Sequence, residues 1–218
     1  MAKSEIRAFT GADLDAVGTI WNRALRRDPI NPGRLRAWLF GDPDYWPGPE
    51  CGFFVATRGG TPVGFARAII RRYPNDRLGI EPEHGWIPVL AVDPDQQRQG
   101  VGRALLEAAL NYLRAAGRRR VWVCGNTGSA PGYVFPGVDR DAYLGALALF
   151  TKAGFVVDHE PVAMSREAVD FDVDAYHRQA WDVGREIEVA ELSPARVPDF
   201  LAFLAEAFAS ESVPDYRV

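Results

Sequence analysis

Lysine is almost absent from this chain. Lys3 and Lys152 are the lysines among 25 basic residues, and arginine supplies the rest. That bias suits a GC-rich prokaryotic coding sequence and excludes no function. Cysteine is as scarce. Cys51 and Cys124 stand far apart, in no metal-ligand spacing, and read as reduced thiols of a cytoplasmic protein with no metal site. No apolar run approaches the length of a membrane span, and MAKSEIRAF lacks the apolar core of a signal peptide. A formal charge of −4 gives no reason to expect a nucleic-acid partner. Two phosphate-loop patterns are missing as well. There is no third glycine for a dinucleotide fingerprint and no Gly-Lys-Ser/Thr for a P-loop. Nor is there a Lys and Asp pair suited to a magnesium nucleotide.

What remains is a globular composition, 47% hydrophobic, organised around Trp86–Ala116. Trp86 to Val92 is a nearly unbroken apolar run, which predicts a strand covered on both faces. Asp93-Pro94-Asp95 ends it, because proline fixes φ and has no N–H. Gln97-Arg98-Gln99-Gly100-Val101-Gly102 then opens a helix. Leu106, Leu110 and Leu113 recur at helical spacing, and Arg103, Glu107, Asn111 and Arg114 form the opposite face. Gly117 ends it. A glycine-rich turn at a helix start leaves N–H groups unpaired and pointing one way, which suits a pyrophosphate. It equally suits close packing of strand on helix.

The rest of the chain reads in order as follows. Ile6–Phe9 is a strand, Ala12–Leu25 a helix and Arg34–Phe40 a second, shorter helix. Gly41–Glu50 is a proline-rich loop. Cys51–Thr57 and Pro62–Tyr73 form a hairpin turned at Arg58–Thr61. Val121–Cys124 is a further strand, followed by a long loop, Gly125–Asp141. Ala142–Ala153 is a helix, and Phe155–Val157 and Pro161–Ser165 are short closing strands.

Gln97-x-x-Gly100-x-Gly102 after Val92-Asp93-Pro94 resembles the acyl-CoA-binding signature of the GNAT superfamily of N-acyltransferases. The order of elements over roughly residues 5–165 is similar to that family's order. The resemblance implies an α/β (α+β) GNAT fold: a mixed, mostly antiparallel central sheet flanked by helices, whose two central strands splay apart. Pro88 inside the first of these strands fits a local loss of pairing, and fits a bulge or an edge position equally. The implied cofactor is acetyl-CoA, and the implied reaction is direct transfer of its acetyl (acyl) group to the primary amine of a small molecule or peptide. Cofactor contacts then fall on Leu90, Ala91, Val92, Gln97, Arg98, Gln99, Gly100, Val101, Gly102 and Arg103. The Leu90 N–H would polarise the thioester carbonyl.

The family's proton-transfer residues match less well. The aligned position for a glutamate base is Trp86. His84, on the same strand face, is the candidate base, with Glu81 and Glu83 nearby. The family's acid, a tyrosine, aligns with Phe150. Tyr143, two helical turns earlier, is the candidate replacement, and Tyr133 a weaker one. Trp21, Asn22, Tyr45, Trp46 and the Tyr133–Asp139 loop are candidates to line the acceptor pocket. The departures also fit a non-catalytic acyl-CoA-binding, sensing or assembly module.

Residues 1–168 are therefore expected to form the GNAT domain and 169–184 a linker helix. Residues 185–218 repeat the start of the chain: Ile187 matches Ile6, and Phe200, Phe203, Leu204 and Phe208 match Val17, Ile20, Trp21 and Leu25. They read as a partial second unit of strand plus helix, and a homodimer through this segment is one expectation. An ordinary docked C-terminus is the other.

Overall fold

A computed structural model describes residues 4–48, 50–75, 78–124, 130–160, 172 and 191–207. The chain divides into two compact units, and Glu160–Ser210 makes up the second. In the first unit, β1 (Glu5–Ala8) leads into α1 (Leu14–Ala24) and α2 (Pro32–Phe40). The hairpin β2 (Phe53–Arg58) and β3 (Thr61–Ile69) follows, then β4 (His84–Val92), α3 (Val101–Ala115), β5 (Arg120–Val123) and α4 (Leu144–Lys152). The five strands lie in the order β1-β2-β3-β4-β5. The first three ladders are antiparallel and β4–β5 is parallel. This is the mixed, helix-flanked sheet that the sequence predicts.

Each face of the sheet carries its own core. On one face α1 and α2 bring Val17, Ile20, Trp21, Leu35 and Leu39 against Phe53, Val55, Phe65, Val89 and Ala91. Aromatic contacts hold this layer: Phe9 stacks on Phe53 at 4.4 Å between centroids, and Trp21 meets Trp38 edge-on at 5.5 Å. On the other face, Val101, Leu105, Leu106, Ala109 and Leu113 of α3 cover Ala66, Ala68, Ile87 and Val92, and Phe150 of α4 joins them. The helical spacing in α3 is thus spent on one buried stripe. Gly85 lets that stripe approach, since a Cβ there would lie 2.7 Å from Leu113 Cδ2.

Helix starts follow local chemistry. Asn31 caps α2, its Oδ1 accepting from Arg34 N at 2.8 Å, with Pro32 at the first helical position. Thr10 N donates to Asp13 Oδ2 at 2.8 Å in the turn that opens α1.

The structure corrects one element. Phe155–Val157 forms no strand. It runs irregularly after Gly154, with Val156 88% and Val157 64% exposed, so two adjacent valines were a poor guide without a partner strand to cover them. Pro161–Ser165, the linker helix and the strand around Ile187 lie outside the described residues, Asp172 apart. In the second unit, Pro194–Arg196 forms a 3-10 turn and α5 (Val197–Ala207) follows, where the chain-start comparison places a helix. Phe203 is 55% exposed on it.

Candidate active site

The site begins where β4 and β5 part. Their ladder pairs His84 with Arg120 through Ile87 with Val123, and a last bond runs from Cys124 N to Ile87 O at 3.0 Å. Among the described residues, β5 gives β4 no partner beyond that point, yet β4 continues to Val92. Cys124 turns aside with φ 61°. On the opposite edge, Ile69 pairs with Trp86 and Arg67 with Val89, so Ile87 and Pro88 together face Ala68. Two residues against one make a β-bulge, and it sits where proline has no N–H to give.

The bulge resets which groups face the gap. Asp93 N donates to Val63 O at 2.9 Å, so by two-residue alternation Ala91 and Val89 turn their main-chain groups toward β3. Leu90 and Val92 turn theirs away from β3, into the gap. Gln97 Nε2 reaches the Val92 carbonyl at 3.0 Å, fastening the following loop to the gap's edge.

That loop is held from outside. Asp93 Oδ1 accepts from Asp95 N at 3.0 Å, forming the turn around Pro94. Arg23 of α1 pairs with Asp93, and with Asp95 at 2.8 Å. Arg58 bonds Gln96 Oε1 at 2.8 Å and also Gln99 Oε1. Arg98 and Gly100 take left-handed φ values of 59° and 84°. Glycine is needed at the second of these to enter α3 without strain. A Cβ on Gly100 would meet nothing within 4 Å, so the space before the helix is open. The first turn of α3 has no side-chain cap and no acidic residue. Its leading N–H groups, with the helix dipole and the exposed Arg98 and Arg103, make this helix start positive, which suits an anion.

His84 lies at the far end of β4. Its Nδ1 is 3.0 Å from Glu81 Oε1, and Glu81 Oε2 is held by Arg71 through Nε at 3.0 Å and Nη2 at 2.9 Å. Glu81 adopts φ 46°, a left-handed conformation unusual for a residue other than glycine. The His84 ring stands edge-on to Trp86 and Trp122 at 6.1 and 6.2 Å, and Arg71 lies 5.4 Å over Trp86. His84 and Trp86 share a strand face, as the alternation predicts. Glu83 instead points to solvent and pairs with Arg119 at 3.6 Å. From His84 to Leu90 the strand advances six residues, about 20 Å. The structure therefore gathers Leu90, Val92, Gln97 and Gly100–Arg103, and leaves His84 apart from them.

Tyr143 also has other business. It caps α4, donating its hydroxyl to Asp28 Oδ2 at 2.8 Å and accepting from Arg27 N at 3.3 Å. Burial, then the Asp28 carboxylate, pushes its pKa up to about 12. Beside it Arg27 pairs with Asp139 at 2.7 Å. Phe150 is buried in the α3-side core, and Tyr133 is 40% exposed.

Sequence reading missed Arg67, a lone cation in the apolar run Val63–Ile70. Its side chain is 1% exposed and bonds Asp42 at 2.6 Å. Burial lowers its pKa against the opposing pull of Asp42. A single charge inside a strand that is otherwise apolar was the available signal.

Strands that part beside an uncapped helix start are an arrangement that can take a thin, extended ligand ending in phosphate. The chain belongs to the acetyltransferase (GNAT) family, whose sequence pattern matches residues 17–134. Acetyl-CoA is that family's cofactor. Mycothiol acetyltransferase of Amycolatopsis mediterranei is 30% identical over 173 residues, covering 74% of this chain and 49% of its own length. The protein of the same name from Acidimicrobium ferrooxidans is 32% identical over 155 residues, covering 71% and 44%. The chain thus spans about half the length of these curated relatives. The glucosamine N-acetyltransferase region of a fungal multi-domain GH3 β-N-acetylglucosaminidase shares the fold with TM-score 0.68 and 22% identity, over 99% of this chain and 24% of that one. Aminoglycoside N-acetyltransferase AAC(6')-Iy, solved with CoA, gives TM-score 0.52 and 17% identity, over 77% and 97% of the two chains.

Proposed function

We propose that this chain transfers an acetyl group from acetyl-CoA to a primary amine of a small molecule or peptide, by direct attack. One observation carries the reading: among the described residues β5 gives β4 no partner beyond Ile87, and Leu90 and Val92 then turn main-chain groups into the gap beside an uncapped α3. The residues present fit the cofactor. Open space at Gly100 and the first N–H groups of α3 suit a pyrophosphate, with Arg98 or Arg103 adding charge. Leu90 and Val92 face the gap with main-chain groups, and Ala91 between them faces β3. Bound acetyl-CoA would supply the activated acetyl group.

The protein's own contributions are these. The Leu90 N–H is aimed to stabilise charge on an acyl oxygen, a role of main chain for which any side chain serves. His84 accepts the proton released by the amine. Glu81 fixes its ring by taking the Nδ1–H, which leaves Nε2 as the basic atom. The strand distance requires that this proton travel along a chain of several waters rather than directly. Tyr143 is assigned a holding role instead of the acid role expected for it. A phenol near 12 would have to protonate a thiolate whose acid is about 8.5, an uphill transfer of several units. Its hydroxyl fastens α4 to the segment after α1.

A second reading keeps the binding and drops the catalysis. It is favoured by Trp86 and Phe150, both buried in the core where the family resemblance places base and acid. Steady release of CoA thiol with any member of a broad amine panel, mycothiol-related acceptors first, supports the enzyme. Acetyl-CoA binding without thiol release across the panel supports the module.

Residues 185–218 are proposed to belong to a second unit of the same type, supported by the repeat and by relatives about twice as long. Where this segment is not followed by more of that unit, a homodimer would cover its apolar face. A solution mass of one chain would rule that out.

A further inference from the structure

Arg67 is a cation that the account above does not use. Its guanidinium lies 4.5 Å over the Trp38 ring and 6.0 Å from that of Tyr45, and Nη2 is bonded to Asp42 at 2.6 Å. Nε and Nη1 are buried and, among the described residues, meet no protein acceptor. A buried donor of a charged group left unmet is costly, so such an atom is kept for a reason or filled by a partner from outside the chain. Its place in the sheet suggests the partner. Ala66 pairs with Leu90 and Arg67 with Val89, so Arg67 stands level with the proposed acyl position, on the α1–α2 face. A Cβ on Gly132 would lie 3.5 Å from Nη1, so this arm sits under the loop that follows β5. Trp38 Nε1 donates to Gly132 O at 3.0 Å across the top. Segments from α2, from the loop after α2 and from the loop after β5 therefore converge on one guanidinium arm.

We propose that Nη1 of Arg67 receives a carbonyl or carboxylate oxygen carried by the acyl acceptor next to its amine. The acceptor class is then aminoacyl: an amino acid, an amino amide or a peptide N-terminus, as against a plain alkylamine. Asp42 neutralises the guanidinium charge, so a neutral carbonyl is as well suited as a carboxylate. Binding displaces the Trp38–Gly132 contact. The proposal rests on the transferase reading.

The test uses matched acceptors that differ only beside the amine: L-alanine, L-alaninamide and ethylamine, and the corresponding phenylalanine set. Each is assayed with acetyl-CoA against the whole chain, Arg67→Lys and Arg67→Met. These amines differ in basicity, so the readout is how the ratio of kcat/KM changes between proteins. The expected result is an aminoacyl preference that falls at least tenfold in Arg67→Met, with KM for acetyl-CoA within twofold. Arg67→Lys, which keeps the charge, retains part of the preference and serves if the methionine variant does not fold. An unchanged ratio in folded variants overturns the proposal and leaves the transferase reading standing. If no amine is acetylated, the transferase reading fails. Calorimetry of L-alaninamide and L-phenylalaninamide on the CoA complex then decides the site. Binding that Arg67→Met abolishes sustains it, and no binding, or binding indifferent to Arg67, overturns it.

Discussion

Asp13 is a residue through which pH acts on the fold. Arg7 bonds both its oxygens, at 2.6 and 2.7 Å, and this, more than its bonds to Thr10, holds its pKa at about 2. The folded value lies below the unfolded one, near 3.9. The pair therefore stabilises fully above about pH 4, and the contribution is lost as pH falls through about 2. Arg7 is partly exposed, so screening limits the effect to roughly 1 kcal/mol. Asp13→Asn should lower stability by about that amount at pH 7 and by only a small part of it near pH 2, read from urea unfolding at both values. His84 and Glu81 belong to the same scale. His84→Ala should lower kcat, by less than the roughly 10²–10⁴ of a base in direct contact, while acetyl-CoA affinity holds. Glu81→Gln should reduce kcat less, through loss of ring orientation. An unchanged kcat in His84→Ala would remove it from the mechanism.

At the scale of elements, the α3–β4 contact depends on Gly85. Gly85→Ala forces a methyl within 2.7 Å of Leu113 Cδ2 and should cost about 1–3 kcal/mol. Pairing it with Leu113→Ala should recover part of that loss beyond additivity, because the clash and the cavity share a site. A strictly additive double mutant would show that the helix shifts instead. Elements with a strong periodic stripe or a proline stop were legible in the sequence: α1, α3, the β2–β3 hairpin and β4 fall within a few residues of expectation. Phe155–Val157 was not, because a short apolar run becomes a strand only when a neighbour pairs with it. The site was legible in part. Gln97 and Gly100 announce the special backbone of the turn into α3, since such needs leave a mark in residue type. The bulge at Ile87–Pro88 left only the proline as a trace. Tyr143's bond to Asp28 and Arg67's to Asp42 left none, because partners 115 and 25 positions apart meet only through the fold.

At the scale of the molecule, the sheet's two faces divide the labour. The α3 side carries the proposed cofactor seat, and the α1–α2 side carries Arg67, Trp86 and His84. The Arg23 pairs with Asp93 and Asp95, and the Arg27 pair with Asp139, tie the end of α1 to both loops that flank the gap between β4 and β5. Among the described residues no helix is long and apolar enough to cross a bilayer.

The claim on which the account turns is that the start of α3 seats the phosphates of acetyl-CoA, and Arg103 offers a test in which stability and binding move in opposite directions. Arg103 is exposed at the third position of α3, where a carboxylate favours the helix by about 0.3–1 kcal/mol. Arg103→Glu should therefore leave Tm unchanged or slightly raised. The same charge opposes a pyrophosphate. Calorimetric titration of acetyl-CoA at low salt should show affinity falling at least tenfold, with the difference shrinking as salt is raised. An unaltered affinity in the folded variant would contradict the seat at α3.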